Sequence, residues 1–213
     1  MAQEFDPALP YPQIGSPAPR FLCRTTLGER SVDGYRGRWL VMFSHPADFT
    51  PVCTSEFLAF ARHYDAFQTA DCDLLGLSVD SLFSHLASVK AIKDAFGVAI
   101  PFPIAEDPSM AIAKAYGMLR PDAPDSTTVR ACFIIDPDGI IRMTASYPMS
   151  TGRNVEEILR TVRALQATDA YNVLTPEAWQ PGGPVIKPAA VISAEGELDP
   201  DWFYRTMQPE FEQ

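Results

Sequence analysis

Cys53 is the residue whose type and position most clearly suggest chemistry. It lies in the stretch LVMFSHPADFTPVCTSE, residues 40–56, which begins with an apolar run typical of a buried strand and ends as the start of a helix. Thr50 is a favourable cap residue, and Pro51 suits the first helical position. We therefore expect Cys53 to be the third helical residue. There, unpaired backbone N–H groups and the positive end of the helix dipole favour the reactive thiolate.

Three charged residues are candidates for controlling this thiol. Glu56 comes three residues after Cys53, on the same face of the predicted helix, and a free carboxylate there would oppose ionisation of the thiol. A cation is therefore expected beside Glu56. Arg130 begins the strand VRACFIID and is the predicted partner. Arg153 precedes the last long helix, where the dipole disfavours a cation, so we expect it to have a distant anionic partner. From spacing alone, either arginine could instead be solvent-exposed.

Strands and helices are predicted to alternate along the chain. Residues 74–79 form an apolar run typical of a buried strand, and Ser81 is a favourable cap for the helix that follows. We expect the buried face of that helix to consist of Leu82, Leu86 and Val89. The turn sequence at residues 136–139 predicts a hairpin, and the stripe within residues 155–165 predicts the last long helix. This order indicates an α/β fold with a mixed central sheet and helices on both faces.

The residues around Cys53 resemble the active-site signature of a known enzyme family. Pro46, Thr50 and Cys53 match the pattern P-x-x-x-T-x-x-C of the peroxiredoxins, and the run SHPADFTPVCTSE is similar to their one-cysteine, peroxiredoxin-6-like branch. Four further segments match in the family's order: FPIAED (102–107), VRACFIIDPDG (129–139), YPMSTGRN (147–154) and TPEAWQPGG (175–183). The resemblance covers residues 17–188 and implies a thioredoxin-like fold with a mixed central β-sheet flanked by helices, plus a C-terminal extension.

This resemblance implies an antioxidant thiol peroxidase without a cofactor. The thiolate of Cys53 would attack hydrogen peroxide or an organic hydroperoxide, release water or an alcohol, and become a sulfenic acid. By the same resemblance, the Thr50 hydroxyl contacts the peroxide, Pro46 shields the thiolate, and Arg130 polarises the leaving oxygen.

Three supporting residues also follow from the resemblance. Arg153 matches the second arginine of the family and would bridge Glu56. His45 precedes Pro46, and one-cysteine members have a histidine here, close to the reactive sulfur. We expect His45 to have an orienting or reduction-linked role, because a thiolate that is already formed needs no general base.

The remaining cysteines give no convincing internal partner for an oxidised Cys53. Cys23, Cys72 and Cys132 lie in predicted strands, and no cysteine follows Cys132. An external thiol, such as thioredoxin, glutathione or a similar reductant, is therefore expected to reduce Cys53. One alternative is an atypical two-cysteine enzyme that uses Cys23 or Cys72. Another is an oligomeric holdase chaperone, and a third is a thioredoxin-like disulfide oxidoreductase, which the absence of a C-x-x-C pair opposes.

Composition limits the partners and the compartment. The chain of 213 residues has a net charge of −10, without a local basic patch, which argues against nucleic-acid and anionic-membrane binding. The first residues, MAQEFDPALPYPQ, do not have the form of a secretory signal. Four cysteines without paired or metal-type spacing suit a reducing cytoplasmic environment and predict no metal site.

The end of the chain differs from the rest in pattern. We expect a peroxidase domain over residues 1–170 and a C-terminal dimerisation or extension segment over residues 171–213, where helical periodicity is lost. Trp202, Phe203 and Tyr204 need an apolar surface to cover. They would pack either on a partner subunit or back on their own chain. The resemblance implies a homodimer or a decamer built as a pentamer of dimers.

Overall fold

The structure, a computed structural model, describes residues 12–119, 126–188 and 203–208. Contacts divide the chain into two compact units, residues 1–155 and 156–213. This division falls before the functional boundary expected after residue 170, and that boundary stays a prediction.

A seven-stranded mixed sheet forms the first unit's centre. Its strands are β1 (Leu22–Thr25), β2 (Gly28–Ser31), β3 (Trp39–Ser44), β4 (Cys72–Ser78), β5 (Ile104–Glu106), β6 (Arg130–Ile135) and β7 (Ile141–Tyr147). Their order across the sheet is β2-β1-β5-β4-β3-β6-β7. The pairs β3–β4 and β4–β5 are parallel, whereas all other neighbouring strands are antiparallel. The predicted α/β class with a mixed central sheet is confirmed.

The helices begin and end where local sequence signals favour it. They are α1 (Pro51–Arg62), α2 (Tyr64–Thr69), α3 (Leu82–Phe96), α4 (Ala111–Ala115) and α5 (Val155–Tyr171), and a short 3-10 helix spans Val32–Tyr35. The Ser81 side chain accepts a hydrogen bond from the Ser84 N–H and caps α3, as expected. Gly97 ends α3 with a left-handed φ of 69°, which glycine adopts without a steric penalty.

The buried face of α3 differs from the expectation. The buried residues are His85, Ser88 and Ile92, whereas Leu86 is 45 % exposed. The prediction based on apolar spacing was wrong at Leu86, whereas Leu82 and Val89 are partly buried. The inner face includes His85, whose ring has internal hydrogen-bond partners.

Strand β3 is buried along its whole length and separates two apolar layers. Leu40 and Met42 belong to a large core cluster on one face of the sheet, and Phe43 points to the other face. There the Phe43 ring stacks on Phe60 of α1, with ring centroids 4.1 Å apart, and also contacts Phe57. Aromatic side chains of α1 are therefore the contact that fixes this helix on the sheet.

The second unit has a small core of its own. Ala164 and Ala167 of α5 cluster with three further buried residues, Val173, Trp179 and Val185. Strand β8 (Val185–Ile186) pairs with β9 (Thr206–Met207), so this part of the tail folds back within its own unit. Phe203 and Tyr204 are nevertheless 68 % and 54 % exposed, and Trp202 lies outside the described residues. Packing of the tail on a partner subunit stays a prediction.

None of the helices in the described part of the chain combines the length and the apolar character needed to cross a membrane.

Candidate active site

Cys53 occupies the predicted position in the first turn of α1. Pro51 is the first helical residue, and Thr50 precedes it with extended backbone angles, so Cys53 is the third residue of the helix. Its side chain is almost fully buried. A cysteine held here lies at the positive end of the helix dipole, which favours a negative charge on sulfur.

The Thr50 side chain does not cap the helix as expected. Its hydroxyl donates a hydrogen bond to the Ala47 carbonyl over 2.9 Å, and α1 has no side-chain cap. The expectation that this hydroxyl accepts a backbone N–H was wrong, because the side chain turns back toward the loop before the helix. The Thr50 hydroxyl proton is therefore already committed, while its oxygen lone pairs are still able to accept.

Arg130 links the sulfur to the nearby carboxylate. Its Nη1 atom lies 3.3 Å from Cys53 Sγ and donates to Glu56 Oε2 over 2.8 Å. Nε and Nη2 both donate to the Met149 carbonyl, at 2.9 and 2.8 Å. Only 2 % of the Arg130 side chain is exposed, so these contacts are made with little competing water. The predicted contact between Arg130 and Glu56 is present.

Arg153 holds the same carboxylate from the other side. Its Nε and Nη2 atoms form a two-pronged pair with Glu56 at 2.8 and 2.7 Å, and its backbone N–H adds a third hydrogen bond. Burial opposes the charge of Glu56, but the interactions with Arg153 and Arg130 outweigh it and hold the pKa of Glu56 below its usual value. Two guanidinium groups and one carboxylate leave one positive charge, which a thiolate at Cys53 would balance.

His45 and Pro46 are buried at the end of β3. The ring of His45 lies edge-on to Phe57 with centroids 4.8 Å apart, and its Nε2 atom faces Asp48 Oδ1 at 3.2 Å rather than the sulfur. Nδ1 is buried and has no hydrogen-bond partner among the residues that the structure describes. Burial lowers the pKa of His45, despite the nearby Asp48, and so favours the neutral ring.

Asp48 and His85 extend this network and were not predicted as site residues. Asp48 Oδ2 lies 2.9 Å from His85 Nδ1, and His85 Nε2 faces the Ala105 carbonyl at 3.2 Å. Sequence spacing gave no signal, since 37 residues separate Asp48 from His85.

The group His45, Asp48 and His85 also contains the residue types that bind metal ions, with ligand atoms within 4.8 Å of one another. Both facing atom pairs already lie at hydrogen-bond distance, so the geometry fits shared protons without requiring an ion.

The other three cysteines are buried and free. Burial raises the pKa of Cys23 and of Cys132 to about 11. Burial raises the pKa of Cys72 even further. These thiols are therefore protonated near neutral pH, and a protonated, buried thiol is a poor nucleophile.

Two family models match the chain. The model of the AhpC/TSA family matches residues 14–144, and the model of the C-terminal domain of 1-Cys peroxiredoxin matches residues 164–193.

Known proteins similar to the chain are peroxiredoxins. Peroxiredoxin 2 of Caldanaerobacter subterraneus subsp. tengcongensis is 48 % identical over 206 residues, which cover 92 % of this chain and 93 % of that protein. A solved structure of yeast mitochondrial 1-Cys peroxiredoxin, concerned with its thiol resolving mechanism via glutathione/thioredoxin systems, superposes with a TM-score of 0.83 at 38 % identity. The match covers 92 % of this chain and 99 % of that one. A cysteine-to-serine mutant of peroxiredoxin 6 of Arenicola marina gives a TM-score of 0.82 at 34 % identity, covering 93 % and 99 %.

Proposed function

The chain belongs to the peroxiredoxin (AhpC/TSA) family and is a thiol-dependent peroxidase of the one-cysteine type, and on that premise we propose that Cys53 is its reactive nucleophile. The observation that carries this proposal is the position of Arg130 Nη1, 3.3 Å from Cys53 Sγ at the start of α1. A helix N-terminus and a guanidinium group together favour the thiolate that must attack the peroxide.

The proposed reaction transfers one oxygen atom to sulfur. The Cys53 thiolate attacks one peroxide oxygen, the O–O bond breaks, and the other oxygen leaves with the bonding electron pair and takes up a proton. Sulfur becomes a sulfenic acid, and the product is water or an alcohol. Arg130 Nη1 already points at the sulfur and donates a hydrogen bond to the negative charge that develops on the oxygens.

Thr50 and the other buried groups orient the peroxide and Arg130. Because its proton is given to Ala47, the Thr50 hydroxyl accepts a hydrogen bond from the O–H group of the peroxide. Glu56 fixes the orientation of the Arg130 guanidinium group. Arg153 compensates the negative charge of Glu56, which would otherwise repel the thiolate. Pro46, buried beside His45, limits access of water to this pocket.

An external thiol then restores Cys53 in two steps. The first thiol attacks the sulfenic sulfur, water leaves, and a mixed disulfide forms; a second thiol releases Cys53 and yields an external disulfide. An external reductant is supported by the state of the other three cysteines. Burial raises the pKa of each of these thiols, Cys23, Cys72 and Cys132, so none of them is a good nucleophile near neutral pH. Thioredoxin and glutathione are the proposed reductants, the two systems named for the yeast mitochondrial relative.

We also propose that the protein assembles into a homodimer or a pentamer of dimers. Several large apolar side chains support this proposal, because Phe49 is 61 %, Phe83 74 % and Phe203 68 % exposed. The mass of the native protein in solution tests it, and a monomer at micromolar concentration would contradict it. A cytoplasmic location stays a prediction from the unpaired cysteines.

Stopped-flow measurement of hydrogen peroxide loss tests the reaction. The intact protein with a small thiol reductant should consume peroxide, and Cys53→Ser should lose this activity. Cys23→Ser and Cys72→Ser are matched controls that should keep it, since neither thiol takes part. Retention of full activity by Cys53→Ser would overturn the proposed role of Cys53, and loss of activity in either control alone would favour the two-cysteine alternative.

A further inference from the structure

Three buried polar side chains form a network beside the reactive cluster. His45 directly follows β3, Asp48 lies in the loop before α1, and His85 lies on the inner face of α3. Their side chains are at most 2 % exposed. Because polar groups this deeply buried must satisfy one another, the positions of their protons follow from their contacts.

His85 has acceptors at both of its ring nitrogens. Nε2 faces the Ala105 carbonyl at 3.2 Å, and a carbonyl oxygen only accepts. Nδ1 faces Asp48 Oδ2 at 2.9 Å. Burial opposes the charge of Asp48, but hydrogen bonds from His45 and His85 hold the pKa of Asp48 well below its usual range, so its carboxylate is also an acceptor. An acceptor thus faces each ring nitrogen of His85, so each nitrogen has a hydrogen-bond partner for a proton.

The second oxygen of Asp48 fixes His45. Asp48 Oδ1 faces His45 Nε2 at 3.2 Å, so the single proton of the neutral His45 ring lies on Nε2. Nδ1 then has a buried lone pair, and no residue in the described part of the chain is its hydrogen-bond partner. Asp48 thus determines which nitrogen of His45 is able to accept a hydrogen bond from a group in the pocket.

Asp48 also holds the loop that leads into the Cys53 helix. Its backbone N–H donates to Asp80 Oδ2 over 2.9 Å, and the next residue, Phe49, has a φ of 59°. A bulky side chain rarely adopts this left-handed conformation, which persists only where neighbouring contacts impose it. With its backbone bound to Asp80 and its carboxylate bound to two histidines, Asp48 supplies those contacts immediately before Thr50.

We propose that His85 is a positioning residue for the peroxidase reaction: it donates both ring protons, fixes Asp48, and through Asp48 fixes the His45 tautomer and the loop that carries Thr50. The role in the reaction rests on the proposed function of Cys53. The proton positions in the network do not, so they are testable independently.

Nitrogen NMR of the histidine rings tests the proton positions in the unmodified protein. The chain has three histidines, and the variants His45→Gln and His63→Gln assign two sets of signals, which leaves the third set to His85. At neutral pH, both nitrogens of His85 should have the chemical shifts of protonated nitrogens, whereas His45 should have a protonated Nε2 and an unprotonated Nδ1. An unprotonated nitrogen in His85, or a proton on Nδ1 of His45, would overturn the proposal. This measurement requires neither activity nor a folded His85 variant.

A His85→Gln variant tests the role in the reaction. Glutamine is polar and of similar size but carries no positive charge, so Asp48 is no longer fixed between two histidines. We expect the rate constant with hydrogen peroxide to fall about 10- to 100-fold, because small displacements of reacting groups slow a reaction by such factors. We also expect the NMR signals of His45 to shift. His63→Gln is the matched control, because His63 contacts the Ala59 carbonyl at the end of α1 and lies outside this network.

The outcomes separate this inference from the proposed function. If the wild-type protein consumes peroxide and His85→Gln does so equally fast, the inference is overturned while the function stands. A slower His85→Gln variant whose His45 signals are unchanged would also overturn it, since His85 would then act by another route. If the wild-type protein consumes no peroxide, the proposed function fails, and NMR still decides the proton positions.

Discussion

At the scale of single residues, one nitrogen of Arg130 serves two acceptors. Nη1 contacts both Cys53 Sγ and Glu56, while the rest of the guanidinium group is fixed by the Met149 carbonyl. This arrangement gives the group one orientation before any peroxide arrives. Preorganised donors of this kind lower an activation barrier because they do not have to reorient during the reaction.

Replacement of Arg130 by lysine should therefore slow the reaction while the charge is conserved. A lysine ammonium is a point charge without the planar fork, so it cannot hold the Met149 carbonyl, Glu56 and the sulfur at the same time. We expect the stopped-flow rate constant to fall about 100- to 1,000-fold. Arg142→Lys, on the neighbouring strand β7, is the control and should react at the wild-type rate. An Arg130→Lys enzyme within twofold of wild type would show that charge alone suffices.

Glu56 should make the stability of the protein depend on acid pH. The pKa of Glu56 is lower in the folded protein than its usual 4.5, so its contribution to stability is present above about pH 4.5 and is lost as the pH falls through the lowered folded value. Glu56→Gln leaves two buried arginines without their partner and should cost about 3–5 kcal/mol at pH 7. The difference from wild type should narrow as the pH falls below 4.5.

Urea unfolding of both proteins at several pH values measures this difference. Glu157→Gln is the control, because Glu157 forms a partly exposed pair with Arg160 on α5 and should cost at most about 1 kcal/mol. A difference between wild type and Glu56→Gln that stays constant from neutral pH to acid would contradict the assignment of a buried, ionised Glu56.

The sequence identified these charged residues but missed their neighbours for physical reasons. Cys53 and Glu56 belong to one helix, so their spacing in the sequence predicts that they lie on the same face. A carboxylate near a reactive thiol predicts a cation that compensates its charge. The Thr50 hydroxyl was assigned to the helix end because threonine favours that position, but the Ala47 carbonyl competes for it. Asp48 and His85 meet only through the fold, which no local pattern encodes.

At the scale of elements, aromatic packing fixes α1 and with it the sulfur. Phe60 is fully buried, and its ring stacks on Phe43 of β3 and contacts Phe102 next to β5. The helix is thus held against β3 and the start of β5 at a point about two turns after Cys53. Any shift of α1 moves Cys53 relative to Arg130, which belongs to β6.

Phe60→Ala should therefore reduce both stability and activity. The cavity left by a buried phenylalanine costs about 3–5 kcal/mol, whereas Phe60→Leu fills most of the space and should cost less. Denaturant unfolding measures the stability, and the rate with peroxide should fall in the same order. Phe96→Ala, a 56 % exposed residue at the end of α3, should change stability by at most about 0.5 kcal/mol. Equal stabilities of Phe60→Ala and wild type would contradict this account of α1.

Periodicity predicted the elements better than their faces. The start of α1 follows from Pro51 at the first helical position, and the ends of α3 follow from the caps Ser81 and Gly97, all of which act locally. The inner face of α3 was misassigned because the buried His85 ring has polar partners inside the protein, and a pattern of apolar residues does not reveal such partners.

At the scale of the whole molecule, the distribution of cysteines sets the reaction class. One cysteine lies beside a cation at a helix N-terminus, and the other three are buried with raised pKa values. The full sequence contains these four cysteines and no other, and none of them follows Cys132. This distribution fits an oxidised enzyme that is reduced by an external thiol. The sequence predicted this through the absence of a cysteine after Cys132, but it did not predict where the compact units divide.

Intact-mass spectrometry after one equivalent of hydrogen peroxide, without reductant, tests the central claim most directly. The account predicts that the wild-type protein gains the mass of one oxygen atom, that peptide mapping places it on Cys53, and that Cys53→Ser gains none. A loss of two hydrogens would reveal an internal disulfide, and an oxygen on any residue other than Cys53 would identify a different nucleophile; either result would contradict the account.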